Sequence, residues 1–599
     1  MSALLMLILA LVPLVIAPGF LFTYDVVPKV ALFLLGAAAV LPWLRLRPLA
    51  AGRAGRWFVA LIALQALSLA VSTALSVRPE LSLTGSTWRR FGLLTQLALL
   101  LFTLALAGYA AGNPTRIRNL LRAVACAGIP VALYGILQYF GWDPWLPKAG
   151  YHIGEGVWTI VRPPSTLGYV SYFANYLLTV MFASAALWLT EASRSWRILG
   201  AAAGLLAAAG IVLSGTRAAI LGMILGGVLL ALWLRPRFSP RAGLAAAAVL
   251  MLGVAFYYSP AGQSLRSRTR WYVEDPRGGS RLWLWRDSAR MGLAFWPAGA
   301  GPETFTGVFP RFQSAALSRQ FPDFYHESAH NIFLDAWTAQ GAPGLAVLLA
   351  LAALGFYAAR LAPASKLAAA LAAALAAALC AQQFTVFTLP TALASYLTLA
   401  LLVALAVPPL ETPRPRAHPA LLPVSAVLAL FAFRLLAADH ALAATRRDIE
   451  SGRLAEAQDA YQRAALLGAR TDLWYSRAMQ VAAQQSPDPA VAVTANRLAL
   501  EFAVRATRTA EDPANAYDHL ASLYGRLNDL PGTERSLRAA IAASPNWYKP
   551  HWLLAQVLWL AGRHQEARGE AVLAADLSAG RHPEVARTVR QFTRGPANE

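Results

Sequence analysis

Charge is scarce in this chain: only 14% of its 599 residues are Asp, Glu, Lys or Arg, while 57% are hydrophobic. Soluble globular domains carry about 25% charged residues, so the composition argues against an ordinary soluble fold and for a polytopic membrane protein. Acidic residues are the scarcer sign, 31 against 52 basic ones, for a formal charge of +21. That excess sits mostly in short loops between apolar runs, where Lys and Arg orient membrane helices. It forms no basic face of the kind that grips nucleic acid, and no nucleic-acid partner is expected. The two cysteines, Cys126 and Cys380, lie in separate apolar runs, which excludes a disulfide framework and a CxxC metal site. There is no P-loop, no G-x-G-x-x-G after a strand and no D-x-D on the outer side, so neither ATP nor a nucleotide sugar is expected, and no cofactor is. Residues 1–18 lack a basic n-region and a clear cleavage site, which reads as a retained first span and not a signal peptide.

Thirteen apolar runs are present, near residues 2–21, 26–44, 57–77, 91–111, 120–141, 167–190, 196–214, 217–234, 242–258, 330–358, 367–388, 391–409 and 419–438. A helix needs about 20 residues to cross a bilayer, so the pattern predicts an all-α polytopic integral membrane protein with about 12–13 transmembrane helices. Basic residues follow every even-numbered run: Arg45, Arg47, Arg53 and Arg56; Arg116, Arg118 and Arg122; Arg194 and Arg197; Arg235, Arg237 and Arg241; Arg360 and Lys366; Arg414 and Arg416. By the positive-inside rule these loops and the N-terminus are cytoplasmic, and the chain beyond about residue 439 is outside. The expected organisation is N-terminal transmembrane helices over 1–258, a large outer loop over 259–329, C-terminal transmembrane helices over 330–438, and an outer helical region over 440–599.

That last region has soluble composition and an internal period. Leu520-Ala521 recurs as Leu554-Ala555, and Thr533 as Ala567, 34 residues on in each case. Gly452-Arg453-Leu454-Ala455-Glu456-Ala457 echoes Gly562-Arg563-His564-Gln565-Glu566-Ala567, and Pro513 and Pro545 are expected to open helical pairs. The period resembles tetratricopeptide repeats. It implies about three to four hairpins stacked into a concave surface for a protein partner. The alternative is an array that only supports or dimerises the membrane part.

One long polar segment, residues 258–344, interrupts the membrane-like part. Up to Asn331 it carries nine arginines (Arg266, Arg268, Arg270, Arg277, Arg281, Arg286, Arg290, Arg311, Arg319) against six acids (Glu274, Asp275, Asp287, Glu303, Asp323, Glu327). Arginine on the outer side breaks the positive-inside trend. These residues, with Arg89, Arg90, Arg162 and Arg217, therefore either hold a folded loop through ion pairs or grip phosphate oxygens with their guanidinium forks. The segment ends in Tyr325-His326-Glu327-Ser328-Ala329-His330-Asn331, just before an apolar helix. His326-Glu327-Ser328-Ala329-His330 matches the H-E-x-x-H pattern of zinc proteases, but a catalytic zinc needs a third protein ligand. The next acids are Asp335, on the same helix, and Glu411, on the opposite side of the membrane. The lead-in Phe321-Pro322-Asp323-Phe324-Tyr325 starts that helix only near residue 328. No metal is expected.

Four motifs fall in order at expected outer boundaries. They are Arg162-Pro163-Pro164-Ser165-Thr166-Leu167-Gly168-Tyr169; Ser214-Gly215-Thr216-Arg217-Ala218-Ala219; Ser280-Arg281-Leu282-Trp283-Leu284-Trp285 followed by Gly299-Ala300-Gly301-Pro302-Glu303-Thr304-Phe305; and Ala329-His330-Asn331-Ile332-Phe333-Leu334 followed by Gly341-Ala342-Pro343-Gly344-Leu345. Together, over residues 150–360, they resemble the O-antigen ligase and polymerase superfamily. Ala218 stands where that family's turn has glycine, and Ser165 and Tyr169 where Gly and Asn are commoner. The resemblance implies a metal-independent, GT-C-like glycosyltransferase of the bacterial inner membrane, engaged in envelope or lipopolysaccharide biosynthesis. Such an enzyme moves a glycan, with inversion, from undecaprenyl diphosphate to an acceptor on the periplasmic face. The acceptor is lipid A-core for a ligase, another lipid-linked repeat for a polymerase, or a protein hydroxyl for an O-oligosaccharyltransferase; the ligase-type reading comes first. The resemblance also maps the family's essential arginines onto Arg217 and Arg281 and its histidine onto His330.

The chemistry of the residues runs the same way. When the glycosidic bond breaks, charge develops on the lipid diphosphate, and fixed cations stabilise it. Arg217 and Arg281 are assigned to that diphosphate, and His330 to the acceptor hydroxyl as general base or orienting partner. Arg162, Arg286, Tyr325, His326, Glu327 and Glu303 are expected to shape the substrate cavity or pair the arginines, and Asn331 either caps the helix or touches the sugar. The rival of another class is a glycolipid transporter, in which the same arginines bind and no bond changes.

Overall fold

The computed structural model describes residues 1–154, 159–235, 240–274, 279–323, 325–363, 365–410 and 417–594. Arg237, Asp275, Arg277, Phe324, Glu411, Arg414 and Arg416 lie outside the described residues, as do the side chains of Arg241 and Glu274. The protein is an all-α polytopic membrane protein. Among the described residues, eleven helices are long and apolar enough to cross a membrane, from Val26–Trp43 to Pro419–Glu450, and two shorter apolar helices, Ser2–Leu11 and Ala247–Tyr258, accompany them.

The first apolar run is shorter than a full span. Its helix stops after Leu11, ahead of Pro13 and Pro18, which lack the backbone donors a longer helix needs. A ten-residue helix covers about 15 Å. It still links the two ends of the bundle: the Tyr109 hydroxyl donates to Ser2 Oγ at 2.5 Å, whereas the carbonyls of Pro13 and Val15 accept from Thr166 Oγ1 and Lys29 Nζ.

The loops gather at two ends. At the first, the His418 amide donates to the Pro42 carbonyl at 2.7 Å and the Gly112 amide to the Ala404 carbonyl at 2.8 Å. Nearby, Arg122 grips both oxygens of Glu191 at 2.7 and 2.8 Å. Helices pack there and through the bundle by small residues, because lipid tails are as apolar as leucine and only close approach distinguishes a neighbour from solvent. Gly226, on the Arg217–Leu234 helix, shows how close: a Cβ there would stand 2.4 Å from the Phe182 ring and 2.8 Å from the Ala373 carbonyl.

The opposite end carries the large loop and a helical array. After Glu450 the described chain forms eight helices, from Leu454–Leu466 to Pro583–Arg594. Leu520 and Leu554, Ala521 and Ala555, and Thr533 and Ala567 occupy equivalent buried places. Pro513 opens its helix behind the Asp512 cap. Pro545 instead lies in the turn ahead of Tyr548–Leu560, so it ends the preceding hairpin without starting the next. The array is fastened to the large loop: Arg319 pairs with Asp576 at 2.7 Å, the Tyr548 hydroxyl donates to Asp323 at 3.1 Å, and Asn546 Nδ2 donates to the Gln313 carbonyl at 2.7 Å.

Candidate active site

The site is built on an interrupted helix. Ile332–Leu361 is helical except at Gly341, whose φ of 66° and ψ of −162° break it. Pro343 has no N–H to give the Ala339 carbonyl, and the Ala342 N–H turns instead to the Trp296 carbonyl at 2.8 Å. Two helix carbonyls are thereby released, and a glycine turn takes them. The Ala300 amide donates to Thr338 O at 2.8 Å and the Gly301 amide to Ala339 O at 3.0 Å. Ser72 Oγ adds a second bond to Ala339 O at 2.5 Å. Gly301, at φ 106°, has no room for a side chain, since a Cβ would stand 2.0 Å from Ser76 Oγ. Two separated sequence motifs thus interlock, and their join places Glu303.

Glu303 holds a buried arginine. Arg89, 4% exposed, meets Glu303 through Nε at 2.5 Å and Asp335 through Nη1 at 3.2 Å. The second Glu303 oxygen accepts from the Ser86 amide at 3.1 Å and from its hydroxyl. Burial works against the Arg89 charge, but Asp335 and Glu303 outweigh it and raise its pKa above the ordinary arginine value. Glu303 itself sits at φ 66° and Arg90 at φ 51°. Left-handed backbone is costly for such residues and tends to persist at functional sites, where the surroundings over-determine it.

His330 lies just ahead of the helix, also left-handed at φ 49°. Ser328 Oγ accepts its backbone N–H at 3.3 Å and lies 3.4 Å from Nδ1. Burial, then the nearby charges of Arg281 and Arg89, push its pKa down to about 4, so the imidazole is neutral at pH 7 and able to accept a proton or hydrogen bond. The two arginines place this neutral ring in a positive field, and the ring titrates well below its unfolded value.

The other expected residues fall around this centre or away from it. Asn331 is the helix cap: its Oδ1 accepts from the Phe333 and Leu334 amides at 2.9 and 3.2 Å, and its Nδ2 donates to Gln383 Oε1 at 3.0 Å. Loss of such a cap costs about 1 kcal/mol, so Asn331→Ala should lower the thermal unfolding midpoint in detergent, whereas Asn331→Asp, which still accepts, should preserve most of it. The Gln382–Phe384 turn that holds Asn331 also receives two of the other three motifs. The Arg217–Leu234 helix packs beside it, and Trp285, one turn beyond Arg281, sets its ring 5.8 Å from that of Phe384.

Arg286 is committed within its own loop, bonded to Asp287 at 2.9 Å and to Ser314 Oγ at 2.5 Å, with its guanidinium over the Trp283 ring. His326 is buried against Phe309, ring centroids 5.7 Å apart, and burial, then His330, depress its pKa to about 4. The Tyr325 hydroxyl bonds to Thr306, and burial, then Asp512 of the array, raise its pKa. Arg162 lies farther out, in a cavity of about 250 Å³ with Tyr24, Tyr151 and Tyr169, and donates to the Tyr169 hydroxyl at 2.8 Å. The stretch from His326 to Asn331 is not helical, and the helix begins at Ile332. The i, i+4 face that an H-E-x-x-H zinc site requires is therefore not formed. Among the described residues, no group of three His, Cys, Asp or Glu stands close enough to hold a metal ion.

Arg89 and Asp335 were not among the site residues expected from sequence. The available signal was Trp88-Arg89-Arg90, two arginines in a short outer loop, for which the sequence named no partner.

The helical bundle thus gathers a buried histidine and several arginines at one end. Residues 202–349, about a quarter of the chain, match the family model described as O-antigen ligase (Wzy_C). The matched span contains Arg217, Arg281, Arg286, Glu303, Tyr325, His326, His330 and Asn331, and Arg162 precedes it. No curated protein matches the chain.

Proposed function

We propose that this protein transfers a preassembled glycan from a polyprenyl-diphosphate carrier, undecaprenyl diphosphate in bacteria, to an acceptor hydroxyl on the periplasmic face of the inner membrane. The observation that carries the reading is the neutral, buried His330 imidazole within the field of Arg281 and Arg89. Arg281, with Arg217 on the neighbouring helix start, receives the diphosphate. His330 takes the acceptor proton as the acceptor oxygen bonds to the anomeric carbon. The bond from that carbon to the phosphoryl oxygen breaks, and the carrier diphosphate departs with the electron pair, its charge balanced by the arginines. Ligase-type transfer to lipid A-core stays first; polymerase and protein O-oligosaccharyltransferase activity are its rivals within the same chemistry. The helical array serves as a docking surface for a macromolecular acceptor or partner. The N-terminus is cytoplasmic and the array periplasmic.

Of the two arginines that depress His330, Arg281 is the one a bound diphosphate neutralises, while Arg89 stays paired with Glu303 and Asp335. Donor binding should therefore lift its pKa, though burial persists and keeps it below the free value of about 6.5. The pH profile of kcat/KM, which reports free enzyme, should fall only near pH 4, whereas the acid limb of kcat should lie at higher pH. Coincident limbs would remove the electrostatic link between donor and base.

Cells lacking the protein provide the broader test. Long glycan accumulating on the carrier, with none on the final acceptor, is the expected profile for a ligase or protein transferase; accumulation of single repeats would indicate a polymerase. An unchanged envelope and carrier profile would contradict transfer altogether.

A further inference from the structure

Behind the candidate site, where the helical array meets the membrane helices, lies a second cavity of about 730 Å³, within the range typical of ligand pockets. Three elements form its walls: the segment after the Arg53–Ala74 helix, the Pro419–Glu450 span, and the first hairpins of the array. Six arginines line it (Arg78, Arg90, Arg434, Arg470, Arg505 and Arg508) against three carboxylates, Glu80, Asp472 and Glu511.

Three of the six arginines, Arg78, Arg434 and Arg470, are oriented by hydrogen bonds that leave their charge in place. Backbone carbonyls hold them: Arg78 donates to Ala510 O and, at 2.7 Å, to Arg508 O; Arg434 donates to Leu467 O at 2.6 Å; Arg470 donates to Glu80 O at 2.8 Å and to Thr84 Oγ1 at 3.0 Å. A carbonyl fixes a guanidinium but leaves its unit charge in place. Among the described residues, Arg505 is the lining arginine that reaches a carboxylate, Asp472 at 3.7 Å. Glu511 is occupied by the Thr87 amide at 2.7 Å and hydroxyl at 3.1 Å.

Arg90 is the innermost of the six. It is 5% exposed, lines the cavity, and its buried Nε has no hydrogen-bond partner. A buried donor left in that state carries a desolvation penalty, which an incoming acceptor relieves. Arg89 and Arg90 thus face two ways from adjacent positions, Arg89 to Glu303 and Asp335, Arg90 to this cavity. The remaining walls are apolar, with Phe431 and Leu435 on the span itself. Next to them Leu430 and Phe433 are exposed on the same apolar Pro419–Glu450 helix.

We propose that this cavity binds the phosphate-bearing head group of an anionic lipid entering from the bilayer. Guanidinium forks match phosphate geometry, and the apolar wall along Pro419–Glu450 suits acyl chains that remain in the membrane.

The test is a binding measurement on the full-length protein in phosphatidylcholine nanodiscs, with diphosphoryl lipid A or phosphatidylglycerol as probe and native mass spectrometry as readout. Leu83 lines the cavity and none of the side-chain bonds above involves it, so Leu83→Glu places a carboxylate among the arginines without removing a tether; Leu83→Gln is its neutral control. Leu467→Glu, which leaves its carbonyl for Arg434, carries the test should Leu83→Glu fail to fold. The wild-type protein and Leu83→Gln should retain anionic lipid over phosphatidylcholine. The carboxylate variants should lose that retention by about tenfold or more, the scale of one charge-assisted contact. Equal retention in the glutamate and glutamine variants would overturn the proposal. Displacement of bound lipid by inorganic phosphate alone would show that the arginines take free phosphate, and would overturn the lipid assignment.

Discussion

Replacing His330 by asparagine is expected to lower glycan transfer by about 10²- to 10⁴-fold, the range associated with loss of a general base. Asparagine is the informative replacement because His330 is left-handed at φ 49°, a conformation that asparagine tolerates and alanine does not. His330→Asn therefore removes the titrating ring with little added strain, and the protein should remain abundant and folded in the membrane. His330→Ala should lose the same activity and also some stability. The measurement is transfer from a carrier-linked glycan by purified protein, with the thermal unfolding midpoint read in parallel. Loss of kcat with donor affinity kept is the expected pattern; Arg281→Ala and Arg217→Ala should weaken donor binding as well. Wild-type rates in His330→Asn would remove His330 from the chemistry.

The largest stability effect is expected at Glu303. Glu303→Ala would leave Arg89 buried at 4% exposure with Asp335 alone, at 3.2 Å. It would also strip the Ser86 amide of its acceptor. Breaking a buried pair by removing one partner costs about 3–5 kcal/mol, which should appear as a much lower unfolding midpoint and reduced membrane accumulation. Replacing all three members of the network, Arg89→Met with Glu303→Gln and Asp335→Asn, should recover a large share of that loss, because no buried charge is then stranded. If Glu303→Ala alone unfolds at the wild-type temperature, the pair does not brace the loop.

Much of the architecture was legible in the sequence for a physical reason. In lipid, a run of about 20 apolar residues can satisfy its backbone only as a helix, so such runs announce themselves. The first run was the exception, since its length counted Pro13 and Pro18, which end the helix early. Short-range features were also accessible: Asn331 caps the helix it precedes, one of the two roles its position suggested. Long-range pairing was not. Arg89 meets Glu303 across 214 positions and Asp335 across 246, and no local pattern records such a bond. The same limit explains Arg286, whose acid partner is its neighbour Asp287 and whose other bond, to Ser314, spans the loop. The Gly341 break was hidden inside an apolar stretch that reads as one span, and its meaning emerges only with Gly299-Ala300-Gly301 docked against the released carbonyls.

The central claim is that a bond to the lipid diphosphate is broken at His330 and not that the glycolipid is moved intact. The most direct test is a proteoliposome assay with purified protein and defined carrier-linked glycan, following the carrier by mass spectrometry. The account predicts free undecaprenyl diphosphate appearing in step with glycosylated acceptor, and neither appearing with His330→Asn. Carrier that stays glycosylated while crossing the bilayer, at equal rates in the wild-type protein and His330→Asn, would contradict it and make the protein a transporter.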